Sequence, residues 1–132
     1  MRGAAAQIEP KPYDVHGNVE THLAWIEKAH AEQVDLLVFP ELSLTGYNVG
    51  PRAPDVAMHV DDPAMTLLAE AAGDMSIVVG FAEEGYAAQF YCAAAYLSAN
   101  RPAFVHRKLS LTNYGAVSCR PTRWYRPPAP CG

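Results

Sequence analysis

Asp35-Leu36-Leu37-Val38-Phe39-Pro40-Glu41 is the stretch whose reading decides the fold. Four consecutive large apolar residues read as a strand buried on both faces, the pattern of a parallel strand inside an α/β sheet. Pro40 has no N–H to give to a ladder, so the strand ends there. Glu41 then stands just past the strand's carboxyl end, where open α/β sheets gather their chemistry. A second apolar run, Ala103-Phe104-Val105-His106, is followed in the same way by a charged residue, Lys108.

Outward from this stretch, helix and strand patterns alternate. Residues 4–8 read as a first strand with small side chains, and Pro10 and Pro12 force a loop. Asn18 is the expected N-cap of a helix reaching about residue 33, with Val19, Leu23, Ile26 and His30 on one stripe. Residues 48–55, rich in Pro and Gly, are expected to be irregular. Asp62 and Pro63 open a second helix. Ala64, Leu67, Leu68, Ala71 and Ala72 fit its apolar template, and Gly73 closes it. Residues 76–81 form a third strand, Glu83-Glu84-Gly85 turns out of it, and residues 91–97 and 103–107 make a hairpin. The order predicts an α/β layered sheet whose last strands are antiparallel.

The totals exclude several classes. The chain has 132 residues, enough for one domain with a core. Half the residues are hydrophobic, yet no run approaches the roughly eighteen that a membrane span needs. The first residues hold no long apolar stretch of the signal-peptide kind, so the chain reads as soluble and cytoplasmic. The net charge is −4, and the acidic residues all precede Gly115, leaving no basic face for nucleic acid. Cys92, Cys119 and Cys131 show neither metal spacing nor a disulfide framework. The histidines (His16, His22, His30, His59, His106) include no i, i+4 pair, so no metal site is expected. His30, on the apolar stripe, reads as a core histidine. His106 shares a strand face with Phe104 and Lys108, as support for the lysine or as packing.

From Ala116 the character changes. The last seventeen residues hold four of the 11 prolines and three arginines, but no Leu, Ile or Phe. They show no helical or strand period. Residues 1–115 therefore read as the folded part and residues 116–132 as an irregular Pro/Arg-rich tail.

Phe39-Pro40-Glu41-Leu42-Ser43-Leu44-Thr45-Gly46-Tyr47 resembles the first catalytic motif of the nitrilase superfamily, the carbon–nitrogen hydrolases. His106-Arg107-Lys108-Leu109-Ser110-Leu111-Thr112-Asn113-Tyr114-Gly115 resembles the second, with Thr112 where that family usually has proline. Gly80-Phe81-Ala82-Glu83-Glu84 and Ala88-Gln89-Phe90-Tyr91-Cys92-Ala93-Ala94 resemble the segments between, where asparagine is usual near the position of Cys92. The likeness covers nearly all of residues 4–115, in the family's order.

This resemblance implies the N-terminal part of a four-layer αββα sandwich of the nitrilase type, in a family that is usually homo-oligomeric. It also implies a Glu–Lys–Cys triad that needs no metal or organic cofactor. The triad would cleave the C–N bond of a small-molecule amide, nitrile or carbamoyl substrate, with no role for nucleic acid or membrane. Glu41 would be the general base and Lys108 the stabiliser of the oxyanion. The residue types suit the chemistry: a thiolate is the nucleophile, a carboxylate accepts its proton, and a fixed cation counters the charge that develops. Tyr47, Glu84 and Tyr114 are the candidates for the substrate pocket.

In the family the nucleophile lies a few tens of residues beyond the lysine motif, and this chain ends before that point. Cys92, in mid-strand among alanines, reads as a small buried hydrophobe. Cys119 is the remaining substitute thiol, with no strand to hold it. The expectation is that the nucleophilic cysteine is not present in this chain, that the chain as given is inactive, and that residues 116–132 are out-of-frame translation. The other class left open is a truncated, non-catalytic remnant or pseudoenzyme that at most binds a partner subunit. Half a sandwich leaves sheet edges and apolar faces uncovered, which favours aggregation.

Overall fold

The computed structural model describes residues 1–47, 49–109 and 124–125. Strands β1 (Gly3–Ala5), β2 (Leu36–Val38) and β3 (Ser76–Glu84) lie parallel, separated by helices α1 (Val15–Ala31), α2 (Ala53–Val56) and α3 (Pro63–Ala72). The hairpin β4 (Gln89–Ser98) and β5 (Arg101–Arg107) continues the sheet antiparallel, giving the order β1-β2-β3-β4-β5. A two-residue strand, β6 (Trp124–Tyr125), pairs with the start of β4. The backbone of these two residues is therefore regular, although no strand is expected in the tail. The rest of residues 116–132, and Tyr114 with them, lie outside the described residues. Among the described residues no helix is long and apolar enough to cross a membrane.

The two faces of the sheet differ. Leu37, Ile77, Val79, Phe81, Ala93, Ala95 and Leu97 meet Val19, Ile26 and Ala29 of α1 and Met65, Leu68 and Ala72 of α3 in one core. Each large side chain fully buried there contributes on the order of 1.5–3 kcal/mol. On the other face Leu42, Val49, Ala53 and Val56 pack onto Ala82, Phe90 and Cys92 at one end of the sheet only. Among the described residues nothing covers the remainder of that face: Val38 is 37% exposed and Phe104 66%.

Several local expectations are corrected. The strand at 36–38 is not buried on both faces, because nothing among the described residues covers Val38. Asp14, not Asn18, caps α1, accepting from the Gly17 N–H at 2.9 Å. Asn18 is buried inside the first turn, where its amide donates to the Lys11 and Leu44 carbonyls (2.8 and 2.9 Å) and accepts from the Lys11 N–H (2.8 Å). It ties the helix to two loops that would otherwise leave buried backbone groups unpaired. The buried stripe of α1 runs through Val19, His22, Ile26 and Ala29, so the core histidine is His22 and His30 is exposed. In α3 Met65 faces the core and Leu67 is 45% exposed. Residues 50–55, expected to be irregular, are not: Gly50–Arg52 is a 3-10 turn and α2 follows. Glu83 and Glu84 do not turn out of the sheet but complete β3.

Candidate active site

The site begins where β2 stops. β2 pairs with β3 as far as Val38 opposite Val78, and Pro40 has no N–H to continue. β3 runs on to Glu84, so its backbone beyond Val78 needs other partners on that side. The turn after Pro40 supplies them. The Ser43 hydroxyl accepts from the Gly80 N–H at 3.1 Å, the Thr45 hydroxyl accepts from the Ala82 N–H at 3.1 Å, and the Leu44 N–H donates to the Gly80 carbonyl at 2.9 Å. The two hydroxyls are two residues apart and meet N–H groups two residues apart. An orphaned buried N–H would cost about 1–3 kcal/mol, so these contacts fix the turn.

Two further constraints aim Glu41. Leu42 takes a φ of 53°, a left-handed conformation that costs a side-chain-bearing residue energy and bends the chain sharply after Glu41. The turn also lies directly on Gly80, where a Cβ would come within 2.5 Å of the Leu42 nitrogen and 2.6 Å of the Pro40 carbonyl oxygen. Behind the turn, His22 is wholly buried, stacked on Phe39 with ring centroids 4.1 Å apart. Its Nδ1 lies 2.6 Å from the Asn18 carbonyl and its Nε2 2.9 Å from the Ser43 hydroxyl. The carbonyl can only accept, which assigns the proton to Nδ1. Burial holds this histidine neutral and lowers its pKa from 6.5 to about 4.

Lys108 arrives from the other side. Its N–H donates to the Cys92 carbonyl at 2.8 Å, one step beyond the last β4–β5 pair, Ala93 with Arg107. Arg107 holds both oxygens of the buried Glu83 (2.6 and 3.0 Å) and lies 4.0 Å over the Tyr91 ring. This clamp secures the strand end that carries Lys108. The result brings together two residues 67 positions apart: Lys108 Nζ donates to Glu41 Oε1 at 2.6 Å. Both side chains are 39% exposed, and an ion pair so exposed adds at most about 1 kcal/mol of stability.

Cys92 completes the cluster. Its thiol donates to the same Glu41 Oε1 at 3.3 Å. Burial pushes the Glu41 carboxyl up, but the hydrogen bonds from Lys108 and Cys92 and the ammonium charge outweigh it, leaving the carboxyl below its usual value. The hydrogen bond to Glu41 leads the upward shift of Lys108. Burial, the Glu41 charge and the hydrogen bond to it push the Cys92 thiol up to about 12. At neutral pH Cys92 is a neutral donor, not a thiolate.

Of the sequence candidates, the structure joins Glu41 to Lys108 and places Tyr47, half exposed, within electrostatic reach of the ammonium. Glu84 meets His59 at 3.7 Å. Cys92, read as a small buried hydrophobe, is buried but also donates to Glu41, and pattern reading passed over Ser43, Thr45 and Gly80 as site residues. Counting back from the turn at Ala99-Asn100 sets Cys92 opposite Arg107, and it is the register shift between Tyr96 and Ser98 that brings it opposite Lys108, so the sequence carried no simple signal for it. Among the described residues no three His, Cys, Asp or Glu side chains are grouped to hold a metal ion. A depression of about 240 Å³ beside Met65, Leu97 and Arg101 lies at the opposite end of the hairpin from Lys108. Chemically, the cluster offers an ionised carboxylate that can take a proton and a cation that can face an oxyanion.

The sequence model of the carbon–nitrogen hydrolases matches residues 2–129. Among curated relatives, a protein called hydrolase in pqqF 5′ region from Pseudomonas protegens is 36% identical over 104 residues, covering 75% of this chain and 35% of its own length. A cyanide hydratase from Armillaria gallica is 29% identical over 126 residues (84% of this chain, 35% of that protein). An aliphatic nitrilase from Sinorhizobium fredii is 29% identical over 132 residues (85% and 42%). The crystal structure of an amidase from Nesterenkonia sp. is similar over 86% of this chain and 44% of that one, with a TM-score of 0.73 at 22% identity, a likeness of fold. The chain thus spans between 35% and 42% of the length of these curated relatives.

Proposed function

Because this chain belongs to the carbon–nitrogen hydrolase family, we propose that it carries the base and the oxyanion stabiliser of a Glu–Lys–Cys hydrolase site. Glu41 accepts the thiol proton of the nucleophile, and Lys108 faces the atom on which negative charge develops, the oxygen when a carbonyl carbon is attacked and the nitrogen when a nitrile carbon is attacked. The observation that carries this reading is the Lys108 Nζ to Glu41 Oε1 contact at 2.6 Å, a pairing too exposed to serve stability. The substrate is a small amide, nitrile or carbamoyl compound, as the names of the amidase, the aliphatic nitrilase and the cyanide hydratase suggest.

The nucleophile comes from outside residues 1–115, since Cys92 lies buried in mid-strand with Leu42 and Phe90 and burial keeps its thiol protonated. Tyr47 and Tyr114 belong to the pocket wall, with Glu84 at its margin. The working enzyme is cytoplasmic and homo-oligomeric. Residues 116–132 are read out of frame, and another frame downstream of Gly115 encodes a strand-like run ending in cysteine. The second reading, a non-catalytic remnant that binds a partner subunit, draws on the open sheet face around Val38 and Phe104.

Ammonia release from short aliphatic amides and nitriles tests the proposal. The 132-residue chain is expected to release none. A chain continued in the cysteine-bearing frame is expected to release it, with Glu41→Gln and Lys108→Met each lowering kcat/KM by at least about 10²-fold. Turnover by the 132-residue chain, or turnover indifferent to both substitutions, overturns the reading. If no downstream frame encodes such a cysteine, the remnant reading stands.

A further inference from the structure

We propose that Cys92 is a positioning residue for Glu41, its thiol sharing Oε1 with the Lys108 ammonium so that Oε2 is the oxygen left to receive the proton. The inference rests on the reading of Glu41 as the base. A carboxylate has two oxygens, and a general base works only if one of them is free and aimed. Here both donors converge on one of the two: Lys108 Nζ at 2.6 Å and Cys92 Sγ at 3.3 Å reach Oε1, while Oε2 takes no hydrogen bond among the described residues. Lys108 sits on a flexible four-carbon stem, so alone it leaves the carboxylate free to rotate. Cys92 does not have that freedom. It lies within β4, paired with Ala82 on β3 and bound through its carbonyl to the Lys108 N–H, and its side chain is buried against Leu42 and Phe90. A rigid donor and a mobile one on the same oxygen fix the rotation of the carboxylate about its last bond. The same backbone contact sets the depth at which Lys108 leaves its strand, so one residue positions both partners.

The test is the titration of the Glu41 carboxyl carbon by ¹³C NMR in the full 132-residue chain. Cys92→Ala and Cys92→Ser both shrink the side chain, but only serine keeps a donor. The expected result is an upward shift of the Glu41 midpoint in Cys92→Ala, no such shift in Cys92→Ser, and a larger upward shift in Lys108→Met. If Cys92→Ala and Cys92→Ser shift equally, or neither shifts, Cys92 only packs and the proposal falls, while a shift in Lys108→Met leaves the pairing of Glu41 with Lys108 intact. If Lys108→Met causes no shift, Oε1 is not shared and both readings fall. A second readout needs no substitution at Cys92. In a background with Cys119→Ser and Cys131→Ser, the S–H infrared band of Cys92 is expected to move to lower wavenumber as Glu41 ionises, and an unmoved band overturns the proposal.

Discussion

Buried His22 is the titratable residue on which the geometry of the Glu41 turn depends most directly. Its pKa is lowered to about 4 by burial, against 6.5 for a free imidazole. Between those values the unfolded chain binds a proton that the folded chain excludes, so stability falls as the pH falls through this window and is whole above about 6.5. The full loss amounts to about 3 kcal/mol. Protonation would also set a donor at Nε2 against the Ser43 hydroxyl, which now donates to it and accepts from Gly80. Urea midpoints at pH 7 and pH 4.5 check this: the wild type is expected to lose more stability on acidification than His22→Gln. Equal losses would show that His22 does not titrate as its burial demands.

At the scale of elements, the end of β2 is a handover from a strand to a turn, and Gly80 is what permits it. An alanine Cβ there would strike three backbone atoms of the turn: the Leu42 nitrogen, the Pro40 oxygen and the Glu41 carbonyl carbon. No flexible side chain can yield, so the turn itself must move. Gly80→Ala is expected to destabilise the chain by about 1–3 kcal/mol in urea unfolding. Gly3→Ala, whose Cβ meets only the Leu36 oxygen at 4.0 Å, is expected to stay within about 0.5 kcal/mol. Equal effects would mean that the turn does not lie on β3.

The same elements show how much was legible beforehand. The Asp62-Pro63 start and the Gly73 stop of α3 are local signals, written in residues that act on their own backbone, and they hold. The alternation of strands and helices along the chain and the antiparallel hairpin follow from periodicity and hold too. Asn18 misled because its side chain serves two loops outside its helix, at Lys11 and at Leu44, which no helical template sees. His22 was hidden for a related reason: its partner Ser43 sits on another element. Glu41 and Lys108 were singled out by what each follows, but Cys92 looked inert because its meaning lies across the hairpin, not along the strand.

Among the described residues the sheet has one face covered by α1 and α3 and the other covered at the end that bears Glu41. Apolar surface around Phe104 and Val38 therefore meets water, which favours self-association. That geometry accords with a chain spanning 35% to 42% of its curated relatives. What the molecule does retain is the convergence of one carboxylate and one ammonium at the covered end. A zero-length carbodiimide cross-link, mapped by mass spectrometry, measures that convergence most directly. The N-terminal amine, 3.9 Å from Asp35, is an internal reference for a genuine contact. An isopeptide bond between Glu41 and Lys108 at a yield at least equal to that reference is the expected result; Lys108 joined only to other acids, or to none while the reference pair links, would contradict it.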